Sequence, residues 1–292
     1  MPHLDYQIVD VFSETALAGN PLAVVMNQAR LDDAKMQGIA REFNLSETTF
    51  VERRSAAVEQ REGVRVRIFT TQEELDFAGH PTLGTASVLK LTAPETMRDA
   101  VITLSENVGP IPVRFAGDDL YGEMTQRDPE FGAELEAAEV ARLCGLASED
   151  LDPHAVPQIV STGTAFAIVL LRTEEALARL HVRQEEATQW LRKRRARWFY
   201  VMSPQADGEF RARMQFNGGE DPATGSAAGC AIAYLVRRGI VRSEQRVHVR
   251  QGVEMGRPSD LFLAARAVGA RLTDVTVGGS TVPVANGRLF LP

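Results

Sequence analysis

The chain has 292 residues, enough for two domains of ordinary size rather than one simple core. Hydrophobic residues make up 44% and charged residues 24%, which excludes disorder as a global description, and a formal net charge of −7 argues against nucleic-acid binding. Met1–Asp10 has no basic segment leading into an apolar one, and stretches such as Ala165–Leu171 are too short for a bilayer, so neither a secretory signal nor a membrane segment is expected. Cys144 and Cys230 show no metal-ligand or CxxC spacing, which points to a cytoplasmic protein with free thiols.

Short apolar or alternating runs predict strands at Gln7–Phe12 and Leu22–Met26. A helix follows at Asp32–Phe43, with Met36, Ile39, Ala40 and Phe43 on one face. Strands at Thr48–Val51 and Val64–Phe69 lead to a helix at Pro81–Leu91, then to strands at Val101–Leu104 and Ile111–Phe115. Glu134–Leu143 and Glu174–Leu180 are helical by pattern, and Gln158–Val160, Phe166–Leu171, Trp198–Met202 and Phe210–Phe216 read as strands. A helix at Pro222–Val236 precedes strands at Val247–Val249 and Leu261–Ala265.

Pro81–Leu91 and Pro222–Val236 are small and apolar on most sides, the composition of buried helices. Each opens on proline after a cap candidate, His80 or Asp221, of which aspartate is the better type. His80-Pro81-Thr82-Leu83-Gly84-Thr85-Ala86 aligns without a gap on Asp221-Pro222-Ala223-Thr224-Gly225-Ser226-Ala227. The preceding strands match as well. This reads as an internal duplication, with halves at 1–127 and 128–285 and the last strand, within 286–292, returning to the first half.

A helix start leaves backbone N–H groups unpaired, so Gly225 and Ser226, with the Thr224 and Ser226 hydroxyls, form a candidate anion site. The same small residues also suit plain tight packing. In Asn44-Leu45-Ser46-Glu47-Thr48-Thr49-Phe50, a glutamate enters an apolar strand; it is either a solvated edge residue, a salt-bridge partner or a proton-exchanging carboxyl. The basic run at Arg192–Arg197 suits a solvated helix end. His3, His154, His181 and His248 show no ligand clustering, and neither GxGxxG nor GxxxxGK[ST] occurs, so no metal, nicotinamide, flavin or ATP is expected.

These residues resemble the PhzF-like (phenazine-biosynthesis-like) proteins, relatives of diaminopimelate epimerase and proline racemase. The resemblance rests on Ile8–Phe12 with Gly19-Asn20-Pro21, on Asn44–Phe50, on Phe77–Ala86, on Glu220–Gly229 and on Gln251–Ser259. It implies an α/β (α+β) fold of two topologically similar halves, each a curved sheet around a central helix, with the active site in the cleft between them. It further implies Glu47 as acid/base, His80 and Asp221 as its catalytic partners, and Ser226 at the substrate. Asn20, Ser46, Gly79, Thr224 and Gly225 complete the implied substrate-binding set. A homodimer is implied too.

The expected chemistry is a double-bond or keto–enol isomerisation of a small carboxylate-bearing substrate, without cofactor. Glu47 would take a proton from one carbon and return it to another, while His80 and Asp221 hold a hydroxyl or amine. A racemase of a small amino or imino acid, or a binder without turnover, are the alternatives. A racemase built on two thiols is disfavoured because Cys144 and Cys230 fall outside the motifs.

Overall fold

The computed structural model describes residues 3–27, 31–206, 208–216 and 219–291. The chain divides into two compact units, Met1–Thr125 together with Gly278–Pro292, and Gln126–Val277. The first unit runs β1 (His3–Val11), β2 (Asn20–Met26), α1 (Asp33–Phe43), β3 (Glu47–Glu52), α2 (Ala56–Glu62), β4 (Val64–Phe69), β5 (Glu74–Leu75), α3 (Gly79–Thr92), β6 (Val101–Glu106), β7 (Gly109–Phe115) and β8 (Gly122–Thr125). The second runs β9 (Glu130–Glu134), α4 (Ala137–Leu143), β10 (Gln158–Ser161), β11 (Ala165–Leu170), α5 (Glu174–Ala178), α6 (Gln184–Arg192), β12 (Trp198–Pro204), β13 (Phe210–Phe216), β14 (Gly219–Asp221), α7 (Gly225–Arg237), β15 (Val247–Gln251), β16 (Ser259–Val268) and β17 (Arg271–Gly279). The last strand, β18 (Thr281–Phe290), belongs to the first unit.

Strand pairing repeats step for step. In the first unit β1 lies antiparallel to β2, β2 parallel to β3, and β3 antiparallel to β4. β4 then pairs with the short β5 and, in parallel, with β6, which leads antiparallel into β7. In the second unit β10, β11, β12 and β13 repeat the antiparallel–parallel–antiparallel order. β13 pairs with the short β14 and, in parallel, with β15, which leads antiparallel into β16. Parallel neighbours need a crossover, and in each unit the second crossover is the central helix, α3 or α7. β18 lies antiparallel on β1 as β9 lies on β10, so the first unit takes its outer strand from the far end of the chain. The fold is the α/β pair of similar units that the resemblance implies.

The central helices are buried because they carry apolar residues on nearly every side. All of α3 from Gly79 to Leu89 and all of α7 from Gly225 to Val236 are buried. Gly84 is required by close approach: a Cβ there would stand 2.7 Å from both Leu22 and Val11. Among the described residues no helix is long and apolar enough to cross a membrane.

Both helix starts differ from the sequence expectation. The caps are Ala78 and Thr224, not His80 and Asp221. His80 and Pro81 lie within the first turn of α3, where proline is tolerated because the first intrahelical bond is Thr82 N–H to the Ala78 carbonyl, 3.2 Å. In α7 the first such bond is Ala228 N–H to the Thr224 carbonyl, 2.9 Å, and Asp221 ends β14 instead. Topology therefore equates Gly79 with Gly225 and His80 with Ser226, whereas the motif alignment equated His80 with Asp221. The motif similarity follows the small residues that packing demands, and these slide along a helix more freely than strand register does.

Candidate active site

In the first unit three elements deliver Asn20, Glu47 and His80. Asn44 ends α1 in the left-handed conformation at φ 51°, and the chain turns at once into β3, whose first residue is Glu47. Parallel register sets Glu47 beside Leu22, two residues along β2 from Asn20 and therefore on the same face as Asn20. A buried hydroxyl pair, Thr49 Oγ1 to Thr85 Oγ1 at 2.8 Å, fixes α3 against β3. This docking brings His80 Nε2 to 3.4 Å from Glu47 Oε2, with Glu47 half-buried and His80 fully enclosed. Gly79 opens the same helix, and half-buried Ser46 precedes Glu47.

The Asn20 side-chain amide donates to His80 Nδ1 at 3.1 Å. The imidazole proton therefore sits on Nε2, on the side of Glu47. Burial lowers the His80 pKa to about 3. The His80–Glu47 contact is thus between a neutral ring and a carboxyl group, not an ion pair. His80 can donate a hydrogen bond here, but it is no proton acceptor near neutral pH.

In the second unit the Asp221–Ser226 turn forms the start of α7. Thr224 Oγ1 donates to Asp221 Oδ2 at 2.7 Å, and both residues are buried. Gly225, Ser226 and Ala227 precede the first intrahelical bond, so their N–H groups have no acceptor within the helix. With the helix dipole behind them, they suit a carboxylate or phosphate.

Sequence reasoning gave no role to three buried polar residues beside these groups. Gln251, wholly buried at the end of β15, accepts from Thr224 N–H and donates to the Asp221 carbonyl. Tyr200 on β12 donates to Gln251, and burial, followed by the Asp221 charge, raises its hydroxyl pKa, so it remains a donor. Glu106, at the end of β6, lies 2.6 Å from Thr82 Oγ1. Thr82 has one hydroxyl hydrogen, and its other neighbour is the Ala78 carbonyl at 2.7 Å, which can only accept. Both bonds form when Glu106 is protonated and donates to Thr82, in keeping with burial pushing its pKa up to about 8. The signal was in the alternation: Val247, Val249 and Gln251 share one buried face of β15, as Ile102, Leu104 and Glu106 share one of β6.

Both thiols are buried, and burial pushes Cys144 up to about 12 and Cys230 up to about 11, so neither is a thiolate near neutral pH. The basic run begins at the end of α6, and all its members are exposed except Ala196. Among the described residues no group of three or more His, Cys, Asp or Glu side chains converges as a metal site.

A family described as PhzC-PhzF, phenazine biosynthesis-like protein, matches residues 9–287. Trans-2,3-dihydro-3-hydroxyanthranilate isomerase from Pseudomonas aeruginosa is 33% identical over 98% of this chain and 99% of its own. A solved structure described as a predicted epimerase, also from Pseudomonas aeruginosa, superposes with a TM-score of 0.84 at 34% identity, covering 99% of this chain and 100% of its own. A hydroxyproline epimerase from Agrobacterium vitis shares the fold, with a TM-score of 0.67 at 11% identity over 98% of this chain and 92% of its own.

Proposed function

The chain is an isomerase of the phenazine biosynthesis-like family, and from that premise we propose that it moves a proton within a small carboxylate-bearing substrate, with Glu47 as general acid and base. The observation that carries this reading is the Asn20–His80–Glu47 arrangement. Asn20 occupies the Nδ1 lone pair and leaves the proton on Nε2, so of the two neighbouring titratable groups only Glu47 is suited to accept a proton from carbon. His80, kept neutral by burial, donates to oxygen or nitrogen as charge develops.

In the second unit, Asp221 and the start of α7 offer a further set of groups for such a substrate. Asp221 would accept from a substrate hydroxyl or amine, and the Gly225 and Ser226 N–H groups with the Ser226 hydroxyl would hold its carboxylate. Thr224 acts indirectly, because its hydroxyl is given to Asp221. Asn20, Ser46 and Gly79, with Glu47 and His80, are the first unit's contribution to substrate binding in this proposal. The substrate named for the Pseudomonas relative carries a carboxylate, an amine and a hydroxyl in its own name, which is the set of groups these residues would recognise.

The test is incubation with trans-2,3-dihydro-3-hydroxyanthranilate in heavy water, following deuterium uptake and the position of the double bonds. Wild type is expected to move a double bond with uptake of solvent deuterium. Glu47→Gln should bind but turn over at least ~10²-fold more slowly, since an amide cannot accept the proton. Exchange at the wild-type rate in that variant would remove Glu47 from its role. Uptake with inversion of configuration would shift the reading to a racemase, and binding without exchange to a silent binder. Activity is expected to survive exhaustive chelation; dependence on an added metal would overturn the cofactor-independent reading.

A further inference from the structure

We infer that Gln251 is a positioning residue, whose buried amide sets the hydrogen-bond direction around Asp221 so that this carboxylate meets the substrate as an acceptor. What Asp221 does rests on the isomerase reading above; the bracket around it does not. Gln251 Nε2 donates to the Asp221 carbonyl at 2.7 Å and to Thr224 Oγ1 at 2.9 Å. Its Oε1 accepts from Thr224 N–H and from Tyr200 Oη, both at 3.1 Å. Both donor hydrogens and both lone pairs are used. The amide cannot be reversed, because a backbone N–H only donates and a carbonyl only accepts.

The direction then propagates by one step. Thr224 Oγ1 receives a hydrogen from Gln251, so its own hydrogen points to Asp221 Oδ2, 2.7 Å away. Independent packing supports the same bracket. Gly252 has φ +77°, and a Cβ there would lie 2.6 Å from the Pro222 carbonyl oxygen and 2.4 Å from that of Arg257. The backbone that follows Gln251 is thus pressed against the turn that Gln251 holds.

Gln251→Glu keeps the shape and the acceptor oxygen but weakens the donor side, and Thr224→Val removes only the hydroxyl relay. With trans-2,3-dihydro-3-hydroxyanthranilate as the probe, each should lower kcat at least ~tenfold and leave KM within about twofold, because the carboxylate is anchored elsewhere. In an Asp221→Asn background neither should lower kcat further. Additive losses, or equal rises in KM, would overturn the assignment. A substrate-free arm follows exchange of the Thr224 amide by NMR. Protection should survive in Gln251→Glu and fall at least ~tenfold in Gln251→Leu. Equal exchange in wild type and both variants would sink the bracket itself. If wild type does not isomerise the probe, the proposed function falls, and the amide exchange alone decides the bracket.

Discussion

Glu106 and Gln251 occupy matching places in the two units, and they make the same kind of brace from different chemistry. In the first unit Val64 pairs in parallel with Leu104, and in the second Phe210 pairs with Val249; two residues further on stand Glu106 and Gln251. Each ends the buried face of the strand that follows the central helix, and each reaches a threonine near that helix's start, Thr82 or Thr224. Gln251 is saturated by four hydrogen bonds. Glu106 bonds through Oε1, while its Oε2 is buried with no hydrogen-bond partner among the described residues. The amide braces without regard to pH, whereas the acid and the Ala78 carbonyl can both be bonded to Thr82 only while the acid holds its proton. The turn that carries Asp221 is therefore set by a group that cannot titrate, and the helix that carries His80 by one that can.

The largest expected effect comes from emptying the saturated brace. Gln251→Leu leaves Thr224 N–H, the Asp221 carbonyl and the Tyr200 hydroxyl without their partner in a buried setting. At ~1–3 kcal/mol for each unsatisfied group, the loss should be on the order of 4 kcal/mol in urea unfolding. A loss below about 1 kcal/mol would mean that water or neighbours replace the amide easily.

Glu106→Gln tests the other half of the comparison, through pH. The folded carboxyl is pushed up to about 8 by burial, from an ordinary value of 4.5. The folded state then keeps a proton that the unfolded chain releases, so this contribution is full below the unfolded value and lost as pH rises toward the folded one. His80 runs in the opposite sense: lowered from 6.5 to about 3, it contributes fully above 6.5 and loses that contribution as pH falls toward 3. The clean window is therefore from about 6.5 to 8, where wild type should lose up to ~1.4 kcal/mol per pH unit and Glu106→Gln should stay level. An unchanged decline in the variant would assign it to other groups.

The smallest effect concerns the ring that α3 carries. Nitrogen-15 spectra should show His80 as the Nε2–H tautomer throughout about pH 5 to 8, with no titration. Asn20→Ala should mix the tautomers and cost about 1 kcal/mol, the worth of one hydrogen bond. A midpoint near 6.5 in wild type would undo the neutral-ring argument.

The central helices were legible because composition alone marks them: few surface helices lack charge from Gly79 to Leu89 or from Gly225 to Val236. Their starts were not, since Asp221 is a good cap by type and only strand register shows that β14 claims it. Glu47, His80 and Asp221 stood out as chemical types in particular motifs. Gln251 and Glu106 did not, because a single polar residue closing an apolar face looks like the end of a strand. α2 buries no residue and α6 buries only Ala187 and Leu191, so neither shows a broad apolar stripe. Of β18 only the end was read as a strand, for a similar reason: most of it is exposed, and Asn286-Gly287 in its middle reads as a turn.

That last strand has a consequence for the order in which the protein can be made. β18 covers β1, yet every other strand of both units is synthesised between the two. During translation β1 therefore waits with one edge unpaired while the whole of Gln126–Val277 emerges. Domains usually complete themselves from the N-terminus as they appear, but the first unit here is finished only after the second has been made. Until then its open edge is a place where a foreign strand can add, and a chain cut short before Thr281 would carry that edge permanently.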